Sequence, residues 1–218
     1  MKLTGNVEID TSTAEWVVGS DEVGFGSWAG PLIICAAALP RTWSGTGLGD
    51  SKKLSEKQRR KAFERWTLET PALHHLVSVS PERIDELGVY EALILAHRKA
   101  LETVLTKVQG TVLIVVDGFK DGTKRIGVPG SIGLPKADNL VPAVSLASIL
   151  AKVTRDELMA RAAKEYPGYG FSRNVGYGTP EHQEALAKLG PCALHRRSYA
   201  PIAKISAKLD DDYFEFGD

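Results

Sequence analysis

Cysteine is scarce in this sequence. Its two residues, Cys35 and Cys192, lie far apart and form no metal-type pair. That excludes a disulfide framework and a thiolate zinc cluster, and free thiols are the expectation. Long apolar runs are missing as well. The most apolar stretch, Leu32 to Leu39, is strand-sized and well short of the ~18 residues that cross a bilayer. Residues 1–10 show no cationic patch followed by an apolar core, so neither a secretion signal nor membrane attachment is expected, and a cytoplasmic location is. Finally there is no charge surplus: 27 basic residues balance 27 acidic ones. The sum alone argues against a nucleic-acid binder, but the distribution is uneven. Lys52, Lys53, Lys57, Arg59, Arg60, Lys61 and Arg65 form one basic segment, and Arg196, Arg197, Lys204 and Lys208 another; Asp210, Asp211, Asp212, Glu215 and Asp218 form an acidic tail. A phosphate backbone meets the local field, not the sum. Both basic segments read equally well as solvated faces.

What is present describes a globular chain. Its 218 residues, 43% of them hydrophobic, suit one domain with a core large enough to fold without a structural metal. Glu15 to Glu22 and Leu32 to Leu39 read as strands, the second apolar on both faces and therefore buried. Ser55 caps a helix from Glu56 to about Leu68, with Gln58 at the capping-box position. Leu73 to Val79 is a third strand, Glu82 to Gly88 a short helix closed by glycine, and Tyr90 to Lys107 a long amphipathic helix. Thr111 to Val116 is the strongest buried strand and ends at Asp117-Gly118. Phe119 to Lys136 is turn-rich, with one short strand. Val141 to Tyr166 is a long helix stopped by Pro167-Gly168, and Thr179 caps a helix from Pro180 to Leu189. This order predicts a mixed α/β sheet with helices on its faces and a helical C-terminal segment.

The carboxylates are the informative feature. Asp21 and Glu22 end the first strand, Asp117 ends the central one, and Asp138 precedes the long helix. Charged groups at the ends of apolar strands are costly to desolvate unless paired or metal-bound. As hard oxygen donors they suit Mg²⁺ or Mn²⁺. Adjacent residues of a strand point to opposite faces, so a shared site requires the backbone to leave extended geometry at Asp21-Glu22, a departure that Gly24 and Gly26 permit. The alternative is an ordinary strand-to-turn exit.

Two further features bear on substrate. In the long helix Ser145, Ser148, Lys152 and Arg155 fall on one side, a stripe suited to phosphate contact or, equally, to close helix packing. The loop from Tyr166 to Thr179 mixes aromatics, glycine and cations; it suits stacking and 2′-hydroxyl contact, or a packed loop with core aromatics. His182 on the following helix reads as structural.

Seven blocks, in order between about residues 16 and 201, together resemble the type 2 ribonucleases H, that is ribonucleases HII and HIII. They are Gly19-Ser20-Asp21-Glu22-Val23-Gly24-Phe25-Gly26 with Ala29-Gly30-Pro31; Asp50-Ser51-Lys52-Lys53-Leu54-Ser55; Val116-Asp117-Gly118; Lys136-Ala137-Asp138; Ala147 to Asp156; Tyr166 to Gly170 with Gly176-Tyr177-Gly178-Thr179; and His195-Arg196-Arg197-Ser198-Tyr199. The resemblance implies an α/β, RNase H-like fold: a mixed five-stranded sheet flanked by helices, with a C-terminal helical segment. One domain would span 1–218, its core about 14–200 and its tail about 201–218. It further implies hydrolysis of the RNA strand of RNA–DNA hybrids, leaving 5′-phosphate and 3′-hydroxyl ends, by two divalent ions (Mn²⁺ or Mg²⁺) on Asp21, Glu22, Asp117 and Asp138. Gly24, Phe25, Gly26, Lys52, Ser148, Lys152, Arg155, Tyr177 and Arg196 would contact a hybrid, or DNA with embedded ribonucleotides, and the protein would act as a monomer. One departure stands out: most ribonuclease HII members carry arginine between the two glycines, where this chain has Phe25. Backbone reading of a 2′-hydroxyl survives that change, but a side-chain phosphate contact does not. This leaves a binder with impaired catalysis, an HIII-like hybrid nuclease without activity at single ribonucleotides, and a branched-DNA resolvase as alternatives to test.

Overall fold

The computed structural model describes residues 13–43, 55, 57–58, 60–61, 63–64, 73–119 and 124–214. Five strands form one sheet in the order β3-β2-β1-β4-β5. They are β1 (Trp16–Val23), β2 (Leu32–Pro40), β3 (Leu73–Val79), β4 (Val112–Asp117) and β5 (Ser131–Leu134). β1 runs antiparallel to β2 and parallel to β4, and β5 is parallel to β4. The sheet is therefore mixed, as expected. β2 is buried from Leu32 to Leu39, the burial that its unbroken apolar run demands.

The helices follow from local signals. Ser80 caps α1 (Pro81–Leu87), its hydroxyl accepting from the Arg83 N–H at 3.3 Å, and Gly88 closes it. Ser55 and Gln58 form the expected reciprocal capping box. α2 covers Val89–Leu105 and α3 covers Pro142–Glu165. α5 (Pro180–Leu189) begins at Thr179, whose hydroxyl accepts from the His182 N–H, and α6 covers Ala200–Phe214. The stretch 166–179 is not loop throughout: Phe171–Asn174 forms a helical turn, α4, seated on the buried Phe171 side chain. A 3₁₀ turn at Ala137–Asn139 follows β5.

The chain divides into two compact units. The first comprises Met1–Val23, Ile33–Val77 and Ile94–Val153; the second comprises Gly24–Leu32, Ser78–Leu93 and Thr154–Asp218. The first carries the sheet. Within it, a Cβ on Gly19 would lie 2.2 Å from the Val144 backbone nitrogen, so β1 meets the first turn of α3 backbone to backbone. The second unit has its own core around Ala29, Met159, Tyr169, Phe171, Leu186 and Ile202. Among the described residues, no helix is long and apolar enough to cross a membrane, and both cysteines are free thiols.

Candidate active site

In the first unit, strand register gathers the carboxylates. Parallel pairing runs as far as Ser20 opposite Val116, so the next residues, Asp21 of β1 and Asp117 at the end of β4, lie side by side. β5 lies parallel to β4, with Leu134 opposite Asp117, and leads into the 3₁₀ turn that carries Asp138. The carboxyl ends of neighbouring parallel strands thus deliver acidic groups from three distant parts of the chain to one sheet edge, where open α/β sheets place their ligand sites.

β1 does not leave extended geometry at Asp21-Glu22, as a shared site seemed to require. It continues through Val23, with Asp21 opposite Cys35 and Glu22 opposite Ile34. The departure comes one residue later, at Gly24 with φ +86°. The adjacent pair therefore stays within the strand and alternates between its two faces. Asp21 shares the face of Gly19, against α3, where Ser148 hydrogen-bonds its carboxyl. Glu22 shares the face of Ser20, against His97 of α2.

The electrostatics of this edge are those of crowded anions. Burial pushes the Asp21 carboxyl well above the usual carboxylate range, and the nearby charges of Glu22 and Asp117 push the same way. Two hydrogen bonds, from Ser148 and from the Glu22 N–H at 2.8 Å, oppose this without reversing it. Asp117 is also raised, chiefly by burial; the Ala137 N–H, donating to its Oδ1 at 2.6 Å, pulls it back, while Asp138 and Glu22 add to the rise. Asp138 is buried, and its Oδ1 accepts from the Asn139 side-chain amide at 2.8 Å. Among the described residues, no three His, Cys, Asp or Glu side chains are grouped closely enough to hold a metal ion between them; their interactions run pairwise along the edge. Such a set of hard oxygen donors, whose charges hold Asp21 and Asp117 above the ordinary range, suits a divalent cation, which would relieve the repulsion.

Sequence reasoning missed two residues here. His97 is fully buried, its Nδ1 2.8 Å from the Ser20 hydroxyl and its Nε2 3.5 Å from Glu22 Oε2. The available signal was a histidine on the apolar stripe of α2, one turn from Leu93 and one from Leu101, where an aliphatic residue is the rule.

The second unit holds the glycine motif and most of the expected substrate contacts. A Cβ on Gly24 would come within 2.2 Å of the Arg155 guanidinium, so only glycine fits there. Gly26 is exposed, and a Cβ there would meet nothing within 4 Å. Phe25 packs edge-on against Tyr90, ring centres 5.2 Å apart, and Tyr90 is 65% exposed. Tyr177 is also exposed, with the Arg155 guanidinium 5.8 Å from its ring centre.

The phosphate-contact reading of Arg155 and Arg196 needs correction, for both are fully buried. Arg155 donates to the carbonyls of Pro31, Val175 and Ala29 and to the Ser27 hydroxyl. Arg196 donates to the Gly30 and Phe25 carbonyls and to the Tyr199 hydroxyl. Both guanidinium forks are spent on internal acceptors, mostly backbone carbonyls of the 24–31 loop, which they hold in shape. Burial lowers the pKa of each, that of Arg155 to about 10, so both remain cations at neutral pH. The rest of the helix stripe turns inward too: Ser145 and Ser148 are buried, and Lys152 is half-buried. Lys52 lies outside the described residues.

Tyr177 has a fixed backbone. The Cys192 N–H donates to His195 Nδ1 at 2.9 Å, which leaves the His195 proton on Nε2. That proton points at His182 Nε2, 3.0 Å away, and His182 Nδ1–H then donates to the Tyr177 carbonyl at 2.9 Å. Burial holds both imidazoles below their ordinary pKa, His195 down to about 4, so the chain of donors runs through neutral rings.

The mixed five-stranded sheet flanked by helices is that of the RNase H type, a class of nucleases, and comparison with known proteins shows it. The structure of ribonuclease H2 from Pyrococcus horikoshii superimposes with a TM-score of 0.76 at 27% identity, covering 89% of this chain and 99% of that one. Ribonuclease HII of Carboxydothermus hydrogenoformans is 38% identical over 203 residues, 93% of this chain and 84% of its own length; that of Thermus thermophilus is 41% identical over 199 residues, 89% and 91% respectively. The family model for ribonuclease HII matches residues 18–202. The chain belongs to the ribonuclease HII family, enzymes that hydrolyse RNA in RNA–DNA hybrids.

Proposed function

We propose that this chain hydrolyses the RNA strand of hybrids at the carboxylate edge of its sheet, with Asp21, Glu22, Asp117 and Asp138 holding two divalent ions. The observation that carries this reading is the parallel register of β1 and β4, which sets Asp21 beside Asp117, with the charge of Asp138 acting on Asp117. Bound ions would supply the Lewis acidity and water activation that phosphodiester cleavage needs. The protein's own part is positioning: Ser148 and the Glu22 N–H fix the Asp21 carboxylate, and the Ala137 N–H fixes that of Asp117. Asp117→Asn keeps an oxygen acceptor for Ala137 and removes the charge. We expect it to remain folded and to lose hybrid cleavage by at least ~100-fold, as loss of preorganised charge stabilisation does. Full activity of wild type in EDTA would overturn the reading.

On the substrate side, the open Cβ position of Gly26 leaves room for close backbone approach by a ligand, and the exposed Tyr177 ring is placed to meet a sugar or base. One observation favours a narrower specificity. Phe25 occupies the position between the glycines and engages Tyr90 rather than a phosphate, which favours long hybrids over DNA with one embedded ribonucleotide. Phe25→Arg is expected to raise cleavage at a single ribonucleotide more than cleavage of a long hybrid. Equal gains on both substrates, measured side by side in Mg²⁺ and Mn²⁺, would count against it.

A further inference from the structure

We propose that Asp85 is a positioning residue for the substrate-reading loop, fixing residues 24–31 from a helix outside the seven motif blocks. The inference rests on the reading above that the loop around Gly26 meets the hybrid, and it adds the group that holds that loop still. Asp85 sits half-buried on α1. One carboxylate oxygen accepts from the Arg197 N–H at 2.8 Å. The other accepts from the Ser198 N–H at 2.9 Å and from the Ser198 hydroxyl at 2.5 Å. Three donors on two successive residues thus converge on one side chain, 112 and 113 positions away in the chain. They belong to a turn that closes with the Tyr199 N–H on the Arg196 carbonyl at 3.0 Å. Backbone donors of such a turn need partners, and carboxylate acceptors make the stronger class of hydrogen bond.

What this turn carries decides the consequence. Arg196 and Tyr199 flank the two clamped residues. Arg196 Nη1 and the Tyr199 hydroxyl both donate to the Phe25 carbonyl, at 2.9 and 2.5 Å. Arg196 Nε and Nη2 donate to the Gly30 carbonyl, at 3.1 and 3.0 Å. One turn therefore grips the loop near both ends. Gly24 and Gly30, with φ of +86° and +83°, give the loop little stiffness of their own, so its shape depends on those grips. Arg196 is fully buried. Burial works against its cationic form, and the Asp85 charge is among the groups that favour it. Substitution of Asp85 loosens the turn and unbalances the arginine while leaving every residue of the loop in place.

Hydrogen exchange of the full-length protein, read by mass spectrometry, tests the positioning. Asp85→Asn keeps the size of the side chain but turns one oxygen into an amide donor facing the N–H groups of the turn. It is expected to speed amide exchange in residues 24–31 and 194–199 by about 10-fold, with β1 and β4 exchanging as in wild type. Steady-state kinetics on a long hybrid test the consequence. KM is expected to rise about 10-fold while kcat at saturation stays within ~2-fold, the split that marks lost substrate binding rather than lost chemistry. Glu82→Gln, on the same helix, is the control for charge, because removing an anion should by its field alone lower KM for a polyanion. A KM for Asp85→Asn at or below that of wild type would overturn the proposal. Faster exchange spread over β1 and β4 as well would mark general destabilisation and overturn it too. If Asp85→Asn does not fold, Ser198→Ala, which deletes a single bond, is expected to show both effects in smaller measure, and their absence would decide against the proposal. Wild type that cleaves no hybrid would overturn the carboxylate reading, and the exchange pattern would still decide this one.

Discussion

Asp21 works against the fold that holds it. Burial and two neighbouring anions raise its folded pKa well above the ordinary value. A carboxyl raised in this way stabilises the native state where it is protonated. That gain is full below the unfolded value of ~3.9 and is lost as pH climbs through the raised folded value. Wherever that carboxyl is ionised the metal-free protein carries a destabilising charge, and Asp21→Asn is expected to raise the Tm. Thermal melts at pH 7 in EDTA would check this; an unchanged or lower Tm would contradict it. At the same scale, Asp21, Glu22, Asp117 and Asp138 stood out in the sequence because acidic groups capping apolar strands need a reason to be there, although an ordinary turn exit stayed open for Asp21-Glu22 and only the family resemblance joined the four. His97 and Ser20 were not, since their significance lies in a contact across 77 residues that no local pattern encodes. Arg155 and Arg196 were legible as cations but not as buried ones, because the spacing that puts a side chain on a helix face does not say what covers that face.

Among the elements, those with strong punctuation were read closely. β3 and α5 match their expected spans, the cap at Thr179 falls where α5 begins, and Ser55 and Gln58 make the expected capping-box bonds. The helical turn inside 166–179 was hidden, because its glycines and tyrosines resemble an irregular loop until Phe171 buries beneath them. That region also carries a pH dependence. His182 and His195 have folded pKa values below the unfolded ~6.5, His195 near 4. The stability they contribute is whole above about 6.5 and drains as pH falls from there towards about 4. The double variant His182→Gln/His195→Gln is expected to melt with a shallower pH slope than wild type across that interval. Parallel Tm-against-pH curves would show the chain of donors plays no such part.

For the molecule as a whole, a net charge of zero conceals one sheet edge where crowded carboxylates help hold the Asp21 and Asp117 pKa values above the ordinary range. A ligand that binds this edge only in the native state stabilises by mass action. Wild-type Tm is thus expected to climb with Mn²⁺ concentration, by about 2.7 kcal/mol of stability at a hundredfold excess over Kd, and Asp117→Asn should blunt the climb. Calorimetry at stepped metal concentrations would reveal a flat response if the edge holds no ion.

The bond from the Ala137 N–H to Asp117 spans 20 residues and clips the turn bearing Asp138 onto the end of β4. An alanine at position 117 would erase one anion and unfasten the support of a second, so its phenotype would conflate two losses. Side by side, the asparagine and alanine variants become a ruler: whatever the second forfeits beyond the first is the worth of the clip.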